Sequence, residues 1–167
     1  GMHASVESTI IRADDEYEII DVDVESFYPK TAIQNQLYPA HLGPAFTAAY
    51  QSVFDMRKEY PKATHPMENL AFKYALNIPY GDSNNRHSYV YDPLYTMSIT
   101  INGQLLLCML GEWLMTVPGV SMIQANTDGI TFKAPRAARD RIKQICAAWE
   151  QYTCLKLEYA YYQAMYI

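Results

Sequence analysis

The sequence predicts an α+β fold, and three observations carry that prediction. Carboxylates and aliphatics alternate through Ile19-Ile20-Asp21-Val22-Asp23-Val24-Glu25, Asp128-Gly129 separates two short β-prone runs, and helical periodicities fill most of the remainder. With residues 43–93 set aside, the elements run strand, helix, strand, strand, helix, strand. That is the split βαβ, ferredoxin-like plan (βαββαβ) with an antiparallel sheet, here carrying an inserted two-helix antiparallel hairpin after its first strand.

Residues 2–16 read as a polar lead-in in which Val6, Ile10 and Ile11 suit an edge strand. The first main strand covers about 17–24 and sends Ile20, Val22 and Val24 to one face, Asp21, Asp23 and Glu25 to the other. Like charges side by side on a strand cost energy unless a cation or water screens them. The acidic face is therefore either a divalent-metal site or an edge strand showing its acids to solvent.

Tyr28-Pro29 is expected to end the strand. After a loop with Tyr38-Pro39 and Gly43-Pro44, Phe46, Ala49, Tyr50, Val53, Phe54 and Arg57 fall at helical spacing from about Ala45 to Tyr60, and Pro61 stops the run. Pro66 opens a second helix, 67–77, which Pro79 and Gly81 are expected to close. Ser88–Tyr91 suits a short strand. From Tyr95 or Ser98 to about Thr116 runs a helix apolar on nearly every side, which predicts burial against a sheet, and Gly103 within it predicts a close backbone approach. Val120–Ala125 and Ile130–Lys133 read as a hairpin. A helix over Pro135–Tyr152 repeats Ile142, Ile145, Cys146 and Trp149 on one face, and Leu155–Ala160 returns as the last strand.

Half of the 167 residues are hydrophobic, which suits one compact domain with a core, or one with a small insertion. Gly1 before Met2 reads as a tag scar. The most apolar run, Leu105–Met115, carries Glu112, so no membrane span and no membrane partner are expected; with no signal-peptide pattern, the expected location is intracellular. Cys108, Cys146 and Cys154 lack ligand spacing and read as reduced core thiols. His3, His41, His65 and His87 are scattered, against a zinc site. A net charge of −5 is the wrong sign for gripping nucleic acid by bulk electrostatics. It leaves room for a site where metal ions and a few Arg and Lys side chains neutralise phosphates locally.

In the ferredoxin-like plan the first and third strands are the adjacent central pair. Asp23 near the end of one and Asp128 leading into the other therefore meet at one edge of the sheet. Two such carboxylates suit a pair of divalent ions about 3.5–4 Å apart, the arrangement of in-line nucleotidyl transfer. Asp21 shares a face with Asp23 and competes for the ligand role. The inserted hairpin offers Arg57 and Lys73 on facing helices as cations for a triphosphate. Lys73 lies among Phe72, Tyr74 and Leu76, where an unpaired ammonium would be costly to bury.

Three stretches, in order, resemble the motifs of family B DNA polymerases of the phage-encoded kind. Asp23-Val24-Glu25-Ser26-Phe27-Tyr28-Pro29 matches Asp-x-x-Ser-Leu-Tyr-Pro with Phe27 in the Leu place, and Lys73 to Gly81 matches Lys-x-x-x-Asn-Ser-x-Tyr-Gly with Ile78 replacing Ser. Asn126-Thr127-Asp128-Gly129 takes the place of Asp-Thr-Asp-Ser. The resemblance implies a palm over 2–42 and 82–167 with a fingers hairpin at 43–81. It implies Asp23 and Asp128 as ligands of two Mg²⁺ (or Mn²⁺) ions with the carbonyl of Val24, and Ser26, Arg57, Lys73 and Asn77 around a dNTP. Tyr28 would stack under the sugar and exclude a 2′-hydroxyl, and Tyr80 would back the nascent base pair. The implied partners are primer-template DNA, dNTP and the exonuclease and thumb domains of a longer parent, in the cytoplasm of a bacterial host if phage-encoded.

The departures are chain-specific. Asn126 removes a carboxylate from the third motif, and Thr100-x-x-Gly103-Gln104 resembles Thr-x-x-Gly-Arg, a stretch near primer and template, without the charge. Glu158 on the last strand is expected to face the cleft as an accessory acid. The alternative to template-directed synthesis is a fragment that binds metal and nucleotide without turnover.

Overall fold

A computed structural model describes residues 9–167, and the chain divides into two compact units. The first comprises the described residues through Glu25 together with Gln104–Ile167; the second is Ser26–Gly103. The hairpin boundaries expected at 42/43 and 81/82 fall inside the second unit.

The first unit is built on a four-stranded antiparallel sheet of β2 (Tyr17–Val24), β3 (Ser121–Ala125), β4 (Gly129–Pro135) and β5 (Leu157–Tyr162), in the order β3-β4-β2-β5. The first and third strands of the plan are thus the central pair, as the ferredoxin-like order requires. A separate ribbon pairs β1 (Ile10–Arg12) with β6 (Ala164–Tyr166). Ile10 and Ile11 do form the expected short strand, while Val6 lies outside the described residues.

Strand alternation buries Ile20, Val22 and Val24 with Phe132, Ile130 and Leu157 across from them. Helix α5 (Arg139–Thr153), entered through a single 3-10 turn at Arg136–Ala138, buries Ile142, Ile145, Cys146 and Trp149. Each large apolar side chain so buried contributes roughly 1.5–3 kcal/mol. Trp149 also donates from Nε1 to the carbonyl of Leu106 at 3.0 Å. Glu18, on the same side of β2 and 3 % exposed, accepts from Arg139 Nε at 3.0 Å and from Arg136 at 3.5 Å, which ties the start of α5 to the sheet.

Helix α4 (Pro93–Met115) departs from expectation. Leu107, Leu110 and Leu114 are buried, but Leu94, Met97, Ile101, Leu105 and Met115 are each at least 45 % exposed. A helix that covers a sheet buries one face only, and composition alone did not reveal which. With 23 residues and a mean hydropathy of 1.3 over its most apolar window, α4 is also long and apolar enough to cross a membrane by length and composition, contrary to the sequence reading. The thiols divide likewise: Cys146 is buried, whereas Cys108 and Cys154 are exposed rather than core.

The second unit packs α1 (Phe27–Gln34), α2 (Pro44–Lys58), α3 (Pro66–Asp82) and the first turns of α4 around Ala32, Tyr50, Phe54, Leu76, Tyr95 and Ile99. Helix α1 stands where a loop was expected. Pro29 falls in its first turn, where a missing N–H breaks no helical bond. Helix α3 runs on through Pro79 instead of stopping. Pro79 cannot donate to the carbonyl four residues back, that of Ala75, and the buried Tyr50 hydroxyl donates to the neighbouring carbonyl of Leu76. Residues 88–91 form turns rather than a strand, and Tyr89 is fully in solvent. Gly103 does mark a close approach, since a Cβ there would meet the Phe27 ring at 3.0 Å.

Candidate functional site

Register sets the acidic face of the first unit. Asp23 stands opposite Gly129 on β4 and Glu158 on β5, two residues along from Asp21 opposite Thr131 and Ala160. The turn before β4 carries Asp128, whose carbonyl accepts the N–H of Val24 at 2.8 Å. Partial burial, followed by the charges of Asp21, Asp128 and Glu158, holds the Asp23 carboxyl above its ordinary pKa. The charges that reach Asp23 thus come from its own strand, from the β3–β4 turn and from β5.

Gly129 has a different role from the one its place in an Asp-Gly turn suggested. Among the described glycines only Gly43 and Gly119 have positive φ. At Gly129 a Cβ would overlap the Asp23 carboxylate and crowd the Val22 carbonyl at 2.8 Å. The absence of a side chain makes room for the acid.

Asp21 and Asp23 differ in their partners. Asp21 is buried; Thr131 Oγ1 donates to its Oδ1 at 2.5 Å and the Tyr162 hydroxyl to its Oδ2 at 3.4 Å. Its charge in turn raises the pKa of Tyr162. Both Asp21 oxygens accept hydrogen bonds, whereas Asp23 and Asp128 are half-buried and Glu158 is exposed.

Among the described residues, no three His, Cys, Asp or Glu side chains converge closely enough to hold an ion by themselves. Two carboxylates and a backbone carbonyl are hard oxygen donors of the kind Mg²⁺ and Mn²⁺ take. Mg²⁺ commonly accepts one or two carboxylates and completes its octahedron with water and phosphate oxygens. Two carboxylates and a carbonyl would leave most of such an ion's coordination to other oxygens.

The second unit holds the remaining sequence-singled residues. Ser26 sits in the left-handed region (φ 51°) at the start of α1, and Arg57 of α2 donates to its Oγ at 3.1 Å and to Asn69 Oδ1 at 3.4 Å. Tyr28 and Tyr80 stack with ring centroids 4.0 Å apart and planes 10° from parallel, and the Tyr80 hydroxyl bonds to that of Thr100 at 2.9 Å. Lys73, Asn77 and Tyr80 follow one another at i, i+4 and i+7 on α3. Lys73 is exposed, not packed among the aromatics around it.

Sequence reasoning missed Gln124. A bulge in β3 between Met122 and Gln124 places Gln124 opposite Thr131, and its Nε2 donates to Asn126 Oδ1. Asn126 and Gln104 also line a largely apolar cavity of about 220 Å³ between α4 and the β3–β4 hairpin. The polar alternation of β3 held no signal for a bulge, which only the pairing reveals.

No family model matches this chain, and no curated protein is similar to it in sequence. Among solved structures it is similar to the family B DNA polymerase of the hyperthermophilic archaeon Pyrobaculum calidifontis, with a TM-score of 0.61 and 16 % identity over 98 % of this chain. It shares the fold of a DNA polymerase. The match covers 26 % of the archaeal polymerase, so the chain spans about a quarter of that enzyme's length. The polymerase fold seen here is the α+β arrangement expected from the order of elements.

Proposed function

We propose that this chain is the palm and fingers of a family B DNA polymerase of the phage-encoded kind and serves template-directed transfer of a dNTP to a primer 3′-hydroxyl. The observation that carries the reading is the pairing of Asp23 with Gly129, which lets the acids of β2, the β3–β4 turn and β5 crowd together in a sheet ordered as in the polymerase fold. Asp23, Asp128 and the Val24 carbonyl would hold two Mg²⁺ or Mn²⁺ ions. When bound, such ions lower the pKa of an attacking hydroxyl and neutralise the leaving phosphate.

The chain's own residues do the rest. Burial and neighbouring carboxylates make the charge of Asp23 costly, a cost that a cation would offset. Arg57, Lys73 and the first turn of α1 after Ser26 supply positive charge and N–H groups suited to a triphosphate. Asn77 and Tyr80 meet the nucleotide from α3, and Tyr28 closes the space a 2′-hydroxyl would need. Tyr28 is stacked on Tyr80, whose hydroxyl bonds to that of Thr100, so the gate has its supports within the same unit.

Thermal unfolding with Mn²⁺ or Mg²⁺ and dNTP tests the reading: the melting temperature rises, and Asp128→Ala removes most of the rise. An unchanged rise in the variant would place the metal elsewhere. Primer extension with dNTP against rNTP follows, and Tyr28→Ala is expected to admit rNTP. The neutral Asn126 and Gln104 and the net charge of −5 favour a second outcome, binding of metal and nucleotide without turnover, which the same extension assay distinguishes.

A further inference from the structure

Helices α4 and α5 lie on the apolar face of the four-stranded sheet. A Cβ at Gly111 of α4 would meet Met122 and Ile130 at 3.3 and 3.6 Å, and Arg139 of α5 reaches Glu18, which shares a face of β2 with Ile20, Val22 and Val24. The two helices leave a groove of about 280 Å³ between Trp113 and Thr116 at the end of α4 and Arg141, Gln144, Ile145 and Ala148 of α5. Only Ile145 among these walls is buried, so the groove opens to solvent on the side of the sheet away from Asp23. Arg141, Ile145, Ala148 and Tyr152 recur at i, i+4, i+7 and i+11, a stripe about 16 Å long at helical rise. Tyr152, 72 % exposed, extends the groove, its ring centroid 6.4 Å from that of Trp113.

The polar groups of the groove are rich in donors. Arg141 and the Trp113 indole can only donate, Gln144 brings two more N–H groups, and the Thr116 hydroxyl proton already goes to the Trp113 carbonyl at 2.6 Å. Among the described residues, the Trp113 indole, Arg141 and Gln144 make no hydrogen bond or ion pair. Their neighbours on the same two elements are engaged: Trp149 donates to Leu106, and Arg136 and Arg139 pair with Glu18. Free donors around an apolar floor suit a ligand that joins a carboxylate to a bulky apolar group. The groove is smaller than the roughly 300–1,000 Å³ of sites that enclose a free small molecule, and its walls are mostly exposed. A segment of chain laid along the stripe reaches all of it, and Trp, Tyr and Arg are the residue types that dominate the energy of protein–protein contacts.

We propose that the groove between α4 and α5 docks a short extended segment of another protein, with an acidic side chain on Arg141 and a bulky apolar one against Trp113, Ala148 and Tyr152. At roughly 3.3 Å per residue, about five residues cover the stripe, which sets the acid and the apolar side chain about three to five positions apart. The inference is independent of the polymerase reading, because the sheet stands between this groove and Asp23.

Fluorescence anisotropy with the full chain tests it, using labelled hexapeptides that carry two glutamates at one end and leucine and phenylalanine at the other, made in both sequence orders. One order is expected to bind with Kd on the order of 10⁻⁵–10⁻⁴ M, in the weak range of contacts below about 1,200 Å². Glutamines in place of the glutamates are expected to weaken it about three- to tenfold. Arg141→Glu removes binding of the acidic peptide and gains binding of its lysine counterpart, a recovery that damage to the fold would not give. Ala148→Gln, at an exposed helical position, obstructs the groove and is expected to weaken binding by a similar factor. No binding in either order, equal binding of the glutamine peptide, no exchange of preference in Arg141→Glu, or competition by phenylpropionate as strong as by the unlabelled peptide would each overturn the proposal. So would Arg141-dependent self-association in sedimentation, which would give the groove to a second copy of the chain.

Discussion

Asp23 owes its chemistry to neighbours that the chain supplies from far away. A carboxyl whose pKa is raised by folding contributes stability that is full below its unfolded pKa and lost as pH rises through the folded value. In the absence of divalent ions, Asp23→Asn is therefore expected to raise the melting temperature at neutral pH, by about 2–4 °C for each kcal/mol of repulsion relieved, and to bring no gain near pH ~3. Calorimetry across that range checks it; a pH-independent difference would mean that the acids around Asp23 do not load it. Gly129→Ala puts a methyl where the carboxylate stands. Overpacking of this kind costs roughly 1–3 kcal/mol, and the variant should also lose the metal-dependent stabilisation, because Asp23 must turn away. A variant with normal stability and normal metal response would show that the strands can part without harm.

Helix α3 and strand β3 show what elements add to residues. A proline late in a helical run ordinarily ends it, yet α3 continues for three residues beyond Pro79 with a tyrosine from α2 bonded to its backbone. Tyr50→Phe leaves the buried Leu76 carbonyl without that donor and is expected to cost about 1–3 kcal/mol, read as a lower denaturant midpoint at unchanged slope. Unchanged stability would assign the continuation of α3 to packing alone. The bulge in β3 acts similarly at the strand level: one inserted residue converts Gln124 from a core-side position into a polar neighbour of Thr131. Neither device is visible in hydrophobic periodicity, which described both segments as interrupted or regular runs.

At the scale of the whole molecule, charge governs what the chain can hold. With a net charge of −5, it is expected to bind duplex DNA only in the nonspecific range, about 10⁻⁴–10⁻⁶ M at physiological salt, and with a shallow salt dependence. Fluorescence anisotropy over a salt series measures both; nanomolar affinity with a steep slope would contradict it. Of the residues singled out in the sequence, Asp23, Val24 and Asp128 lie in the first compact unit and Ser26, Tyr28, Arg57, Lys73, Asn77 and Tyr80 in the second.

The sequence by itself determined the order of the four main strands and the four longer helices, the alternation that separates an acidic from an apolar face on β2, and the motifs around Asp23, Lys73 and Asp128. All of these are written in neighbouring residues, because strand and helix periods, turn pairs and short motifs are local properties of a chain. Only the tertiary structure decided that Asp21 accepts from Thr131 and Tyr162, that Gly129 yields space to Asp23, that α4 leaves Leu94, Met97, Ile101, Leu105 and Met115 exposed and that Gln124 joins Asn126. Those outcomes depend on register and on partners more than a hundred residues apart in some cases, and no local pattern encodes which side chain will stand opposite which.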